Sequence, residues 1–269
     1  VVTVTARRLR GELRRLAHPT VLLAVVLVAI GCCAAQASSS GADLRPPSPI
    51  DATGSLRIAA QHHASTLGFL LVAVMAATTT ATDVRIGAVG SLRMADPQVA
   101  AGWRRRVGVA VIVAVVSIGC SAVAVWVTRS ATACRAGCPP GSTSTLGATA
   151  VDLLAAGLVL VFAASFATAL AVWFGSELAT VVLAVAAYSV PANRIGSSYG
   201  WALPTKWVSQ VMQFEPYGLG SDYTGGAAAT ASRGGGAVVG AVLLASGTVV
   251  AAWAAIGGLR RRAAAGPPT

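Results

Sequence analysis

Residues 153–174 read LLAAGLVLVFAASFATALAVWF, a run without one charged side chain. A bilayer's hydrocarbon layer is roughly 30 Å thick, and about 20 apolar residues in a helix rising 1.5 Å each will cross it. Barrel strands would instead show short alternating segments, and no part of the chain has that period. The stretch reads as a transmembrane helix, and it fixes the solvent in which the rest must be read.

Five further apolar runs lie outward from it, near residues 20–37, 64–82, 107–127, 178–195 and 236–258. The expected fold class is therefore an all-α integral membrane protein with six spans forming one transmembrane domain over residues 1–269. The fifth run is interrupted by Pro191 and closely followed by Arg194, so a kinked or half-membrane helix is an alternative there. Composition agrees: 55% of the 269 residues are hydrophobic and only 11% charged, whereas soluble domains carry about a quarter charged residues. The net charge of +11 does not point to nucleic acid. The basic residues stand at the ends of apolar runs, and none interleave with aromatics as a base-stacking surface would require.

Residues 1–18 carry Arg7, Arg8, Arg10, Arg14 and Arg15 between Leu9, Leu13 and Leu16, which suits a basic amphipathic helix lying in the headgroup region. Ala35-Gln36-Ala37 resembles a signal-peptidase site, but the long amphipathic lead-in and the later spans favour an uncleaved first span. With both termini placed in the cytoplasm, the inner segments sum to +9 and the outer ones to +2, together the observed +11. The excess of arginine on the inner side agrees with the positive-inside rule.

Two outer stretches stand out. Residues 38–55, rich in Ser and Pro, read as an extended linker. Residues 196–235 contain Trp207, Val208, Val211, Met212 and Phe214 between Pro204 and Pro216, spacing that suits a helix resting in the outer interface or re-entering the membrane. Cys134 and Cys138 flank a short polar loop before Pro139-Pro140; facing an oxidising compartment they would close a small disulfide, with free thiols or a metal pair as the other readings. Gly236, Gly240 and Ser246-Gly247 form a small-residue stripe suited to close helix packing.

The one lysine, Lys206, belongs to no phosphate-binding Gly-Lys-Ser/Thr turn, so nucleotide chemistry would have to come from another chain. His62-His63 matches no zinc pattern, and Asp83, Asp152 and Glu177 all fall at span ends, away from where a proton-coupled carrier needs an acid. These residues give no catalytic, cofactor or metal site, and the chain reads as a non-enzyme.

Asp83-Val84-Arg85-Ile86-Gly87, then Leu92 and Pro97, is similar to an acidic-x-Arg-x-Gly…Leu…Pro pattern. Leu203-Pro204, Trp207 and Pro216-Tyr217 are similar to a Pro…Trp…Pro segment before a last span. In these motifs and in its six-span layout the chain resembles the permease subunit of a bacterial ABC transporter of the type-2 exporter class. It departs from the pattern at Ala88 and Gln98, where the family has Thr and a basic residue. The resemblance implies that residues 83–106 form a cytoplasmic coupling element, with Asp83, Arg85, Gly87, Leu92 and Pro97 meeting a separate ATPase subunit. It also implies that ATP and Mg bind that partner, and that a second permease copy or a homologous permease completes the pathway. The location implied is the bacterial inner membrane. A secondary transporter or channel, with Thr78, Thr79, Thr80 and Thr82 as pore-lining candidates, and a structural membrane subunit are the competing readings.

Overall fold

The computed structural model describes residues 19–41, 51–65, 67–85, 99–135, 146–189, 204, 207–208, 211 and 233–264. Seven helices account for nearly all of them: α1 (Pro19–Gly41), α2 (Ala52–Ser65), α3 (Leu67–Arg85), α4 (Val99–Arg135), α5 (Leu146–Phe174), α6 (Glu177–Ser189) and α7 (Arg233–Ala264). There is no strand among the described residues, so the all-helical expectation holds.

Three helices contain stretches long and apolar enough to cross a membrane: Arg106–Ala131 in α4, Thr149–Phe174 in α5 and Val238–Arg262 in α7. They contain the expected third, fourth and sixth spans. A fourth crossing arises if α2 and α3, which meet at a bend of 53°, are taken together as one broken span. The expected first, second and fifth runs overlap α1, α3 and α6, but none of these three helices is by itself long and apolar enough to cross a membrane among the described residues. Pro191 and Arg194, like the lead-in 1–18, lie outside the described residues.

Helix α2 is not foreseen by sequence, which places these residues in the outer connection. Its start is set by Asp51, whose Oδ1 accepts from the Gly54 amide at 2.7 Å and whose Oδ2 accepts from the Thr53 hydroxyl at 2.6 Å. A carboxylate at this N-cap position supplies the acceptor that the first helical turn lacks. The bend after α2 depends on Gly68: a Cβ there would stand 2.6 Å from both the Cα and the carbonyl oxygen of His63.

The chain divides into two compact units. In the unit made of Val1–Ala60 and Ile112–Ala150, α4 buries Val113, Ala114, Ser117, Ile118, Ser121, Ala122 and Val125, a stripe of helical period, while Val115, Val116, Val123 and Trp126 remain exposed. Helix α1 buries Val25 and Val28 and leaves Leu22, Leu23, Val26, Leu27 and Ile30 exposed.

In the unit made of Gln61–Val111 and Val151–Thr269, α5 is central. It is buried on several faces at once, through Ala156, Val159, Phe162, Ala163, Ala164, Ser165, Ala167, Thr168 and Val172 among others. Small residues make this possible. Ala169, Ala251 and Ala255 form a cluster capped by Phe166, Trp103 and Ala254. Along the α5–α7 seam, a Cβ on Gly247 would meet Phe162 at 3.0 Å and Trp207 at 3.1 Å, and one on Gly258 would meet Val172 at 2.5 Å. Gly247 of the expected small-residue stripe is thus used within the chain. Helix α5 stops at Gly175, whose φ of +66° is the left-handed conformation of a helix C-cap. Ser176 then caps α6 by accepting from the Ala179 amide at 3.3 Å, and α6 packs on α3.

The junction of α2 and α3 is therefore expected to reject even one methyl group. Gly68→Ala should destabilise the protein by about 1–3 kcal/mol, because the atoms it meets are backbone and cannot rotate away. Gly119→Ala, with nothing within 4 Å of the added carbon, should be neutral. Thermal unfolding in detergent compares the two; equal midpoints would disprove the packing described at Gly68.

Candidate functional site

Among the described residues, charged side chains gather at one end of the unit built around α5. Asp83 sits near the last turn of α3 and Arg106 in the second turn of α4. The guanidinium Nη2 of Arg106 donates to Asp83 Oδ2 at 2.8 Å, with side-chain exposures of only 6% for Arg106 and 14% for Asp83. Three arginines follow one another at 104–106. The helical phase of α4 leaves Arg104 exposed and turns Arg106 inward, where it finds the carboxylate. The pair joins the two helices that enter and leave the intervening segment, so the base of that segment is clamped.

Buried polar atoms close to the clamp in the chain stand without a partner among the described residues. Arg106 Nε and the indole N–H of Trp103 have no acceptor, and the Thr80 hydroxyl has no partner either. Thr80 precedes Asp83 by one turn, and Trp103 precedes Arg106 by one turn. A charged side chain this deeply buried is held by its ion pair, since removing one partner of a buried pair typically costs about 3–5 kcal/mol.

The end of α7 reaches the same place. Arg262 donates through Nε to the Val172 carbonyl at 2.7 Å and through Nη2 to the Trp173 carbonyl at 3.2 Å. It thereby satisfies carbonyls that the end of α5 leaves unpaired, where the helix dipole also favours a cation. Trp173 in turn donates its indole N–H to the Ala254 carbonyl at 3.1 Å, and the Arg261 guanidinium lies 5.0 Å from the centre of the Trp173 ring. The position of a Cβ on Gly175 is 3.1 Å from Arg262 Nη2 and 3.7 Å from Val84 Cγ1. The C-terminal ends of α3, α5 and α7 thus gather at one end of the unit, with the start of α4 attached through Arg106. Elsewhere in the unit, Gln61 of α2 donates to Asp152 Oδ2 near the start of α5 at 3.1 Å.

Of the residues singled out by sequence for partner contact, Asp83 is engaged within the chain. Arg85 is the last residue of α3, but its side chain lies outside the described residues, as do Gly87, Leu92 and Pro97. In the outer segment, Pro204 is half-buried, and Trp207 packs edge-on against Phe162 with ring centroids 5.8 Å apart. Phe162 and Gly247, which Trp207 touches, both lie well inside the membrane-length stretches of α5 and α7. Val208 beside it is fully buried. Pro216 and Tyr217 lie outside the described residues. Cys134 belongs to the last turn of α4; its side chain and Cys138 lie outside them too, and so does the disulfide. Among the described residues no group of three or more His, Cys, Asp or Glu stands together in a way that would hold a metal ion.

Sequence reasoning missed the roles of Arg106 and Arg262. Both stand in arginine triplets that read as membrane-orienting charge, and only the helical phase separates the inward-turned member from its neighbours.

The Asp83–Arg106 clamp has a measurable signature. Arg106→Ala, which leaves a buried carboxylate unpaired, should lower stability by about 3–5 kcal/mol, whereas the double change Asp83→Leu with Arg106→Met should recover most of that loss. Thermal unfolding of both proteins in detergent checks it; a double variant less stable than the single one would rule out a buried pair.

No family model, curated protein or solved structure matches this chain, so its function has to be argued from its own residues.

Proposed function

We propose that the chain is the membrane-spanning subunit of an ATP-driven transporter, an exporter of the ABC type-2 class, with six spans and both termini in the cytoplasm. The observation that carries this reading is the clamped base of the segment between α3 and α4. A partner that moves a segment so anchored moves two helices at once, because the Asp83–Arg106 pair ties them. Asp83 then acts as a positioning residue that holds the coupling element, and Arg85 is the residue offered to the partner. ATP and Mg belong to that partner, and closure of its two copies would supply the differential binding energy that shifts the membrane helices between conformations. A second permease, identical or homologous, completes the pathway.

The helix ends support the topology. Alternating crossings put the ends of α3, α5 and α7 and the start of α4 on one side of the membrane, and these are the ends that meet around Gly175 and Arg106. The arginines gathered there favour the cytoplasmic side under the positive-inside rule. The depth at which Trp207 packs favours re-entry of the 196–235 segment from the outer side over a position in the interface.

Two experiments test the reading. Alkaline phosphatase fused after Ala133 should be active and fused after Gly90 inactive; the opposite pair of results would overturn the topology. Arg85→Glu should release the ATPase subunit on co-purification, or abolish substrate-stimulated ATP hydrolysis in reconstituted membranes, while insertion stays intact. A chain that binds no ATPase in any nucleotide state and transports normally with Arg85 reversed would be a secondary transporter, a channel or a structural subunit instead.

A further inference from the structure

Arg260, Arg261 and Arg262 end the membrane-length stretch of α7, and a helix turning 100° per residue sends them in three directions. Arg262 faces α5 and spends its Nε and Nη2 donors on the Val172 and Trp173 carbonyls. Arg261 lies over the Trp173 ring. Arg260 continues the opposite face, the line of Val242, Val249 and Trp253, which are 57%, 68% and 77% exposed. Val238 and Val250 beside them are exposed as well, while Leu244, Ala251 and Ala255 fill the inward face.

An apolar stripe so exposed is covered by acyl chains once α7 crosses a bilayer. At its end stand two exposed guanidinium groups that pair with no carboxylate among the described residues; the nearby Asp83 is already bound to Arg106. Guanidinium favours phosphate through paired N–H donors. Arg261 is also held in place by the ring beneath it, whose own N–H is fixed to Ala254, so less freedom is lost when it takes an anion. Phe174, next to Trp173 in the chain, and Leu178 are also exposed, at 55% and 75%.

We infer that Arg260, at the end of the apolar stripe, holds the phosphate of an anionic phospholipid whose chains lie along the outer face of α7, with Arg261, one position on, adding to the positive charge beside it. A free phosphate would meet the same donors but gain nothing from the Val242–Val249–Trp253 stripe. The inference requires only that α7 crosses the membrane, and it stands whether or not the chain serves an ATPase.

The full chain in neutral detergent is titrated with phosphatidylglycerol, with phosphatidylcholine of the same chains, and with inorganic phosphate, and the unfolding midpoint is followed by tryptophan fluorescence. Phosphatidylglycerol should raise the midpoint at lower concentration than phosphatidylcholine. Arg260→Gln should weaken that preference about fivefold, and Arg260→Gln with Arg261→Gln should remove most of it, in line with the usual contribution of each arginine at an anionic surface. Arg262→Gln should lower the midpoint in both lipids and keep the difference between them, which separates capping of α5 from lipid binding. Arg260 faces outward, so its single variant folds and decides the matter if the double variant does not. Equal response to the two lipids, full preference retained in Arg260→Gln, or the same shift from inorganic phosphate alone would each overturn the assignment.

Discussion

The close approach of α5 and α7 is the constraint on which the rest depends. Lipid is as apolar as the side chains it surrounds, so helices in a bilayer are not driven together by the hydrophobic effect and must gain from contact itself. Contact of that quality needs small residues. The seam supplies Gly247 against Phe162, Ala251 and Ala255 against Ala169, and Gly258 against Val172. These positions recur at three- and four-residue steps, so the smooth face of α7 follows one line. Everything attached to the seam inherits its register. Trp207 finds a place only because Gly247 has no side chain to fill it, and Arg262 meets the end of α5 only because Gly258, one turn earlier, brings the two helices close.

Charge is then handled at the ends. A guanidinium near the hydrocarbon boundary is tolerable when it is paired, stacked or allowed to reach water. This chain uses each solution. Arg106 is paired with Asp83, Arg261 is stacked on Trp173, Arg262 is bonded to carbonyls, and Arg260 remains exposed. The pair is the most consequential of these because its members belong to different helices and leave little of either side chain in water. It holds fixed the separation of α3 and α4 where the chain between them leaves the bundle.

Much of this was legible in the sequence, for a simple reason. An uninterrupted apolar run of membrane length has few alternatives, so the stretches in α4, α5 and α7 declare themselves. Helix α2 did not, because Ser, Gly, Gln and His make it too polar for a hydropathy reading, and its actual signal was Asp51 placed three residues before Gly54 as an N-cap. The clamp was not legible either. Asp83 and Arg106 are far apart in sequence, and which member of Arg104–Arg106 turns inward depends on the phase of α4 against α3. Sequence did place Trp207 in a segment of unusual aromatic spacing. It left the depth of that segment open, because an aromatic that anchors at the interface and one that packs deeper against a phenylalanine look alike without the partner.

The hydroxyl groups bear on what kind of pathway such a chain can line. Thr79 bonds the Met75 carbonyl at 2.7 Å, and Thr168, Thr180 and Thr248 each bond the carbonyl four residues earlier at the same distance. Thr128 does likewise at 2.8 Å. A hydroxyl spent on its own helix no longer offers its proton to a passing polar solute, and the helix keeps an apolar surface towards its surroundings. Among the described residues, Thr80, Ser121 and Ser165 are the buried hydroxyls without a partner. The threonine run of α3 is therefore weak support for an autonomous pore. A hydroxyl bonded within its own helix serves the helix first, and this is how most of the described threonines in the apolar stretches are used.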